Sequence, residues 1–454
     1  MSRAFSSGKL QGQERKEILQ AVQEQAKVAA CVAIKPILEA FLEAEVSAKL
    51  GREKGESRRI SGQERQIDWQ CGHCGCTDAN QLTRDGHSHR GLSTGWGHLS
   101  DLRLPMLECQ QCQHDVVSHF AIVEKYHRYW MDLDQNVLFG SGFGESLRHV
   151  QERWSATVQG SVGLRTLNNR INQIEPLARS AHTERITDVP PVLQLDGIWV
   201  TIQSQQEPIK PDTRKRQRKK RSGKKMVILV ALGFWSDGRR EVVDWQIARS
   251  EEHQEWEGLV QRLWERGCRP EHGLQLVVRD GSSGLGEALA LVYGTTVPEQ
   301  RCIFQTLHNV GTKCRSELKG KDNRDRRSQL MEQAAAVYQA ENASEARKRL
   351  AQWGEQWREQ APQSVATLER DFEQTLVFYG IGGLAPEWIR TTSLLERTNR
   401  EWRRKFRQAV TFGSPTGAEG AVYLQIRRLH ARWSRESWWD ASQTLFFDLW
   451  NLNP

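Results

Sequence analysis

The apolar stretch VLQLDGIWV, residues 192–200, constrains the fold of this chain more than any other segment. It has the composition of a buried β-strand, yet it contains one acidic residue, Asp196. Removing an unpaired carboxylate from water costs several kcal/mol unless the charge binds something. We therefore interpret Asp196 as a cation ligand on the first strand of a central sheet.

Two more carboxylates follow in similar contexts. A second apolar run, LQLVVRDG, ends at Asp280, and the polar segment TTSLLERTNR carries Glu396. On a helix, Glu396, Asn399 and Arg403 share one face, which would place a metal ligand beside groups suited to a phosphate or a base. Three carboxylates on two strands and a helix are what a two-metal phosphoryl-transfer site requires.

Each acidic residue also has a simpler interpretation. Asp before Gly is common in turns, so Asp280 alone could mark only a turn. Glu396 alone would be an ordinary residue of a surface helix. Asp244 lies in another strand-like run, and the alternation of that run predicts that its side chain faces solvent.

The segment after Pro190 predicts five strands and an intervening helix. The strands are expected at 192–202, 226–234, 242–248, 274–279 and near 295–302, and Ser250 is expected to cap a helix between the third and the fourth. This order is typical of an RNase H-like fold, in which the first and fourth strands are adjacent. Asp196 and Asp280 would then be neighbours.

Most of the excess positive charge lies in one run, residues 210–225. It contains ten Lys and Arg residues and one Asp, whereas the whole chain has a formal net charge of +8. Such a local excess indicates contact with a polyanion at one place. The run falls between the first two strands, so we expect a basic hairpin that binds a phosphate backbone. Alternatively, it is a solvated loop or a localisation signal.

The chain is too long for one ordinary core, and two to four domains are expected from its 454 residues. It lacks the run of roughly twenty apolar residues that a membrane helix needs and the apolar core of a signal peptide. A soluble, intracellular protein is therefore expected. The nine Cys fit a reducing compartment.

Residues 1–65 are predicted to be helical, and Pro36 favours two helices over one. Residues 66–120 contain two C-x2-C pairs, which predict a structural zinc ribbon with Zn²⁺ in a closed tetrahedral site. The four expected ligands are Cys71, Cys74, Cys109 and Cys112. Cys76, His73 or His114 could replace one of them.

Residues 121–188 contain the outline of a helix-turn-helix. ESLRHVQERW predicts one helix, VQGSVG a turn and LRTLNNRINQI a second helix. The second helix would present Arg165, Asn168, Asn169 and Asn172 to a major groove. A helical hairpin inside a larger bundle is the alternative.

Four blocks of residues, in order and spacing, carry a family resemblance. They are DGIWV, VVRDGSSGLGEAL, QRCIFQTLHNV and RTTSLLERTNREWRRKFR, and FLEAEVSAKLGRE precedes them. Together they resemble the mutator-type bacterial insertion-sequence transposases, which have a DDE catalytic core. The resemblance implies that Asp196, Asp280 and Glu396 hold two Mg²⁺ (or Mn²⁺) ions and that a helical insertion lies between the second Asp and the Glu. It also implies a cytoplasmic protein associated with the bacterial nucleoid.

One block departs from the family pattern. The family usually shows a Cys with a His three residues later, whereas here Cys302 is followed by Gln305, and His308 lies one helical turn further on. If the family His positions DNA, either Gln305 or His308 takes that role in this chain.

These observations predict a multidomain α+β protein. The expected domains are N-terminal helices (1–65), a zinc ribbon (66–120), a helix-turn-helix-like module (121–188), an RNase H-like α/β catalytic core (189–310 and 386–454) and an all-α insertion (311–385). The candidate DNA contacts are Arg165, Asn168, Asn169, Lys219, Lys220, Arg221, Arg301, His308, Arg390, Asn399 and Arg403.

The predicted function is a DNA transposase that binds inverted-repeat ends of double-stranded DNA as a homodimer and catalyses two-metal strand cleavage and transfer. An RNase H-like nuclease and a non-catalytic DNA-binding derivative are the alternatives. The nuclease would share the three carboxylates but would release its products rather than join them.

Overall fold

A computed structural model describes residues 12–56, 64–123, 127–158, 162–203, 223–408 and 415–451. The chain divides into two compact units: Met1–Gly140 with Leu147–Arg170, and Ser141–Ser146 with Ile171–Pro454. Each unit is described separately below. Every helix in the described part of the chain is too short or too polar to span a membrane.

The first unit begins with one long helix, α1 (Gly12–Leu50), which contains Pro36. The prediction of two helices separated at Pro36 is therefore wrong. A proline removes one backbone hydrogen bond, but tertiary packing can outweigh that loss. Here Leu38, Leu42 and Val46 of the second half of α1 are buried in the core of the unit, which holds the helix continuous.

A long hairpin forms the other side of that core. Strands β2 (Leu82–Thr94) and β3 (Gly97–Cys109) pair antiparallel, and α1 packs on β3. Two short strands, β1 (Gln70–Cys71) and β4 (Val116–Val117), also pair antiparallel and place Cys71 opposite Val116. The two cysteine pairs are thereby brought to the same end of the hairpin.

Three helices follow: α2 (Met131–Gly142), α3 (Leu147–Val158) and α4 (Leu164–Asn172). The last two are the helices predicted for the helix-turn-helix, whereas residues 159–161 of the turn lie outside the described residues. The boundary between the two units falls within α4, after Arg170.

The second unit begins with α5 (Glu175–Thr183) and is built on a five-stranded sheet. All five predicted strands are present: β5 (Val192–Gln203), β6 (Gly223–Phe234), β7 (Arg240–Ala248), β8 (Leu276–Arg279) and β9 (Glu299–Arg301). Their order is β7-β6-β5-β8-β9. β5 pairs antiparallel with β6 and parallel with β8, so the first and fourth strands are adjacent as predicted.

Helices complete the second unit. They are α6 (His253–Glu265), α7 (Ser283–Val292), α8 (Ile303–Glu317), α9 (Arg324–Val337), α10 (Ala343–Trp357), α11 (Pro362–Arg370), α12 (Pro386–Ile389), α13 (Ser393–Gln408), α14 (Pro415–Trp433) and α15 (Trp438–Asn451). Ser250 does not cap α6, which corrects that prediction. The N-cap of α6 is Glu252, and because its backbone is extended, the helix cannot begin before His253.

The two faces of β5 have different surroundings because successive side chains of a strand point in opposite directions. Leu193 and Leu195 are buried in a hydrophobic core with residues of α6 and α7. On the other face, the Gln194 amide donates hydrogen bonds to the carbonyls of Trp388 and Thr391, just before α13. Asp196 directly follows Leu195, so its side chain points away from the hydrophobic core and towards the face of β5 that α13 contacts.

Asp244 of β7 is fully buried, so the prediction that it faces solvent is wrong. Alternation fails as a guide here because α5, α6 and α14 all pack against β7. Its carboxylate accepts hydrogen bonds from His182 Nδ1 at 2.7 Å and from Arg266 at 3.0 Å, and Arg262 lies at 3.3 Å. Burial raises the pKa of Asp244, but His182 and the guanidinium groups outweigh burial and leave it below its ordinary value.

We expect Asp244→Ala to lower the free energy of unfolding by about 3–5 kcal/mol at pH 7, because it leaves the Arg266 charge buried without its partner. A carboxyl whose pKa is lower in the folded state stabilises above its unfolded pKa and loses that contribution as pH falls. The deficit, measured by urea unfolding, should therefore shrink below about pH 4. Glu241→Ala on the same strand is the control, since its surface ion pair should contribute less than about 1 kcal/mol. Equal effects of the two variants would contradict the prediction.

Candidate active site

The first two predicted carboxylates occupy equivalent positions on adjacent strands, Asp196 within β5 and Asp280 directly after β8. Leu195 of β5 is in register with Arg279 of β8, so Asp196 and Asp280 come next on parallel neighbours. The pKa of Asp196 is raised to about 7, mainly by burial and in addition by the charges of Asp280 and Glu396. The three carboxylates predicted from sequence thus lie close enough to influence one another.

A polar cavity of about 220 Å³ lies beside two of these side chains. Its lining residues are Asp196, Gly197, Gln305, Glu396, Asn399 and Arg400. Asp280 is not among them, but its charge acts on Asp196, and its Oδ1 accepts a hydrogen bond from the Ser282 backbone at 2.9 Å. That bond fixes the second carboxylate at the entrance to α7.

The Cys302 thiol joins two elements that carry site residues. Its sulfur caps α8 by accepting from the Gln305 backbone at 3.5 Å, and it also accepts from the Thr392 backbone at 3.3 Å. Gln305 in turn donates from Nε2 to Glu396 Oε1 at 2.8 Å. Of the two alternatives left open by the sequence, Gln305 therefore lies in the site, whereas His308 is exposed on the next turn of α8.

Asn399 lies one turn after Glu396 on α13 and is only 1% exposed. Its Nδ2 donates to Asp196 Oδ2 at 2.8 Å, while its buried Oδ1 has no hydrogen-bond partner among the described residues. The prediction that Asn399 belongs to the site agrees with this position. The Arg403 side chain lies outside the described residues.

Two arginines predicted to contact DNA are engaged within the protein. Arg301 pairs with Asp371 at 2.9 Å, and its side chain is 12% exposed. Arg390 donates to the Tyr338 carbonyl and stacks on Phe378. Their contact with DNA stays a prediction.

Two site residues escaped the sequence analysis. Arg400 lines the cavity, one turn after Glu396. Glu251 precedes α6, and its carboxylate lies against Gly197, so that a methyl group on that glycine would be 2.9 Å from Glu251 Cδ. Its charge also raises the pKa of Asp196, although burial is the largest cause. No local pattern in the Ser-Glu-Glu stretch indicates this position.

The predicted zinc ligands form a second site in the first unit. Their sulfur atoms all lie within 4.8 Å of one another: Cys71, Cys74, Cys109 and Cys112. Each C-x2-C turn ends in a left-handed residue, Gly75 (φ 72°) and Gln113 (φ 55°). Backbone donors from Cys74 and His73 lower the pKa of Cys71 to about 6, which favours the thiolate that a metal requires. Four converging thiols with such donors fit Zn²⁺.

The alternative zinc ligands have other contacts. His73 and His114 stack on each other with centroids 4.0 Å apart, and together with Cys112 they form another group of potential ligands within 4.8 Å. Cys76 is half-buried beside the cluster and is not part of the four. The four cysteines chosen from spacing therefore form one of two converging groups among the described residues, and the identity of the zinc ligands stays a prediction.

On the candidate recognition helix α4, three of the four side chains predicted to contact a major groove are exposed. Arg165, Asn168 and Asn169 are exposed, whereas Leu167 is buried and anchors the helix. Asn172 is half-buried. The basic run with Lys219, Lys220 and Arg221 lies outside the described residues.

Comparison with known proteins identifies the family. A profile described as "Transposase, Mutator family" matches residues 6–436. The transposase for insertion sequence element ISRM5 of Rhizobium meliloti (strain 1021) is 25% identical over 424 residues, covering 91% of this chain and 90% of that protein. The transposase for IS256 in transposon Tn4001 of Staphylococcus aureus is 23% identical over 362 residues, covering 79% and 83%.

Among solved structures, the Drosophila P element transposase strand transfer complex is 8% identical and covers 67% of this chain and 79% of its own, at a TM-score of 0.27. That likeness is too low to support an argument about the fold. The profile match, in contrast, extends over nearly the whole sequence. The chain therefore belongs to the Mutator family of transposases.

Proposed function

We propose that this protein is the DNA transposase of an insertion sequence, which cuts DNA at the element ends and joins the freed ends to a target. The observation that carries the proposal is that Asp196 and Glu396 line one polar cavity and that Asp280 lies close enough for its charge to act on Asp196. The order β7-β6-β5-β8-β9, with three antiparallel strands followed by two parallel ones, supports assignment of the second unit to the RNase H-like fold.

Asp196, Asp280 and Glu396 would hold two Mg²⁺ or Mn²⁺ ions. Carboxylate oxygens are the ligands that these cations prefer, and the mutual repulsion that raises the pKa of Asp196 would be relieved by bound positive charge. Asn399, which lines the same cavity, carries a buried Oδ1 without a hydrogen-bond partner among the described residues and could supply a further oxygen. Bound in this way, the ions would stabilise the charge that develops on the attacked phosphate and on the leaving oxygen.

The protein itself holds the reacting groups in place. Gln305 fixes Glu396, Asn399 fixes Asp196, and the Ser282 backbone fixes Asp280. In the first step, water attacks the phosphate at the element end, and the bond to the 3′ oxygen breaks. In the second, that 3′-hydroxyl attacks a target phosphodiester and displaces another 3′ oxygen. Such positioning supplies much of the rate, because both steps need in-line geometry.

Recognition of double-stranded DNA would fall to other parts of the chain. The exposed Arg165, Asn168 and Asn169 of α4 carry groups able to contact base edges, and the basic run at 210–225 would bind the backbone. Structural Zn²⁺ at the cysteine cluster would stabilise the first unit. Because an element has two ends, we propose that the active form is a homodimer.

Strand transfer is the direct test. Purified protein, Mg²⁺, a labelled DNA carrying the element end and a supercoiled target should give joined product. Asp280→Ala should abolish it, while Asp322→Ala, which removes an exposed carboxylate before α9, should not. Cleavage without joining would indicate a nuclease instead. Binding without either reaction, unchanged in Asp280→Ala, would indicate a DNA-binding derivative.

A further inference from the structure

A fourth carboxylate, Glu251, lies at the proposed active site. It stands between β7 and α6, and its side chain is half-buried. The carboxylate lies against the backbone of Gly197, the residue that follows Asp196. The strand that carries the first proposed cation ligand is therefore also in contact with Glu251.

Two glycines make this approach possible. At Gly197, an added Cβ would overlap Oε1 of Glu251 and lie 2.9 Å from Cδ. At Gly284, in the first turn of α7, an added Cβ would lie 2.8 Å from the Glu251 carbonyl oxygen. Real Cβ atoms do not approach other heavy atoms that closely, so a side chain at Gly197 would displace the Glu251 carboxylate, and one at Gly284 would clash with the backbone of residues 251–253. Each glycine closely follows a proposed ligand, Asp196 or Asp280, and both serve to admit the same segment.

An independent observation indicates that the cluster binds an electropositive ligand. Asn399 is 1% exposed and lines the cavity, and its Oδ1 has no donor among the described residues. Leaving a buried acceptor unsatisfied costs about 1–3 kcal/mol. A cation, or a water held by one, would satisfy it.

We propose that Glu251 is a fourth carboxylate ligand of the divalent cations at this site and binds them together with Asp196. The proposal rests on the function proposed above. Four carboxylates would balance the charge of two divalent cations, whereas Asp196, Asp280 and Glu396 alone leave one positive charge uncompensated. A carboxylate near the start of α6 also interacts favourably with the helix dipole, and that interaction alone would not affect cation binding.

Binding of Mn²⁺, followed by electron paramagnetic resonance of the free ion, tests the proposal without relying on activity. Glu251→Gln should weaken at least one Mn²⁺ site by about 10-fold or more, since even indirect partners of metal ligands contribute 10–100-fold. The matched control is Glu252→Gln, the same change at the exposed neighbour, which should bind as the wild type does. Unchanged binding in Glu251→Gln would overturn the proposal.

A second variant guards against loss of folding. Gly197→Ala keeps Glu251 but displaces its carboxylate, so it should reproduce the loss of Mn²⁺ affinity, with thermal unfolding showing that each variant is folded. Wild-type affinity in Gly197→Ala would also contradict the proposal.

Asp196→Asn separates the hypothesis of a fourth ligand from the hypothesis of the cation site itself. If it weakens Mn²⁺ binding and Glu251→Gln does not, only the fourth ligand is wrong; if neither does, the proposed site itself is wrong.

Discussion

Asp196→Asn should nearly abolish strand cleavage and, in buffer without divalent cations, make the protein more stable. A cation ligand supports several kcal/mol of transition-state stabilisation, and each 1.36 kcal/mol corresponds to about tenfold in rate, so we expect a loss of at least roughly 10³-fold. The amide keeps the shape of the carboxylate and its hydrogen bond from Gly197. DNA binding, measured by gel shift, should therefore remain within about twofold of wild type.

The gain in stability follows from the sign of the pKa change. The pKa of Asp196 is raised to about 7, above that of an unfolded Asp, so the folded state binds the proton more tightly. Stability is then lost as pH rises from about 4 to about 7. Discounting for water in the cavity, we expect Asn to raise the free energy of unfolding at pH 8 by about 2 kcal/mol and to have little effect at pH 4.

Asp322→Asn, at an exposed position, is the control and should change neither activity nor stability. A variant at Asp196 that keeps cleavage would remove this residue from the proposed chemistry. One that loses activity and also stability at pH 8 would indicate that Asp196 supports the fold rather than the reaction. Only a loss of activity combined with a gain in stability is the signature of a functional carboxylate cluster.

Local patterns made the central sheet predictable. Strands β5, β6 and β8 each contain an apolar run, and Asp-Gly pairs interrupt or end two of these runs, so the sequence places Asp196 and Asp280 on or directly after strands. Only the strand order expected of an RNase H-like fold makes those two strands neighbours. The cysteine cluster was predictable for a similar reason, because C-x2-C spacing presents two thiols from one turn. In both cases the information lies within a few residues of the functional group.

Features that depend on packing between distant segments were not predictable. Glu251 reaches the site because Gly197 and Gly284 leave room for it, and nothing in its own neighbourhood shows that. The burial of Asp244 depends on helices that cover an edge strand. The continuity of α1 through Pro36 likewise depends on the hairpin beneath it. Sequence periodicity describes one element at a time, whereas these outcomes are set by its partners.

Cys74→Ser should remove zinc from the protein and unfold the first unit, whereas Cys76→Ser, two residues away, should do neither. Cys74 belongs to the converging set of four thiols and Cys76 does not. Zinc binding contributes roughly 10–16 kcal/mol to small zinc domains, which is as large as the whole stability of a typical domain. We expect zinc content by mass spectrometry to fall from about one per chain towards zero in Cys74→Ser only.

The consequence for the fold follows from where the cluster lies. Cys71 and Cys109 are buried in the same core as Leu42 of α1, so loss of the proposed zinc ion should expose that core and separate the hairpin from the helix. Proteolysis should then cleave residues 64–123 in Cys74→Ser while fragments of the second unit survive. If Cys76→Ser loses zinc and Cys74→Ser keeps it, the ligand set is wrong. If both keep zinc, His73 or His114 supplies the fourth ligand, because their rings already lie beside Cys112.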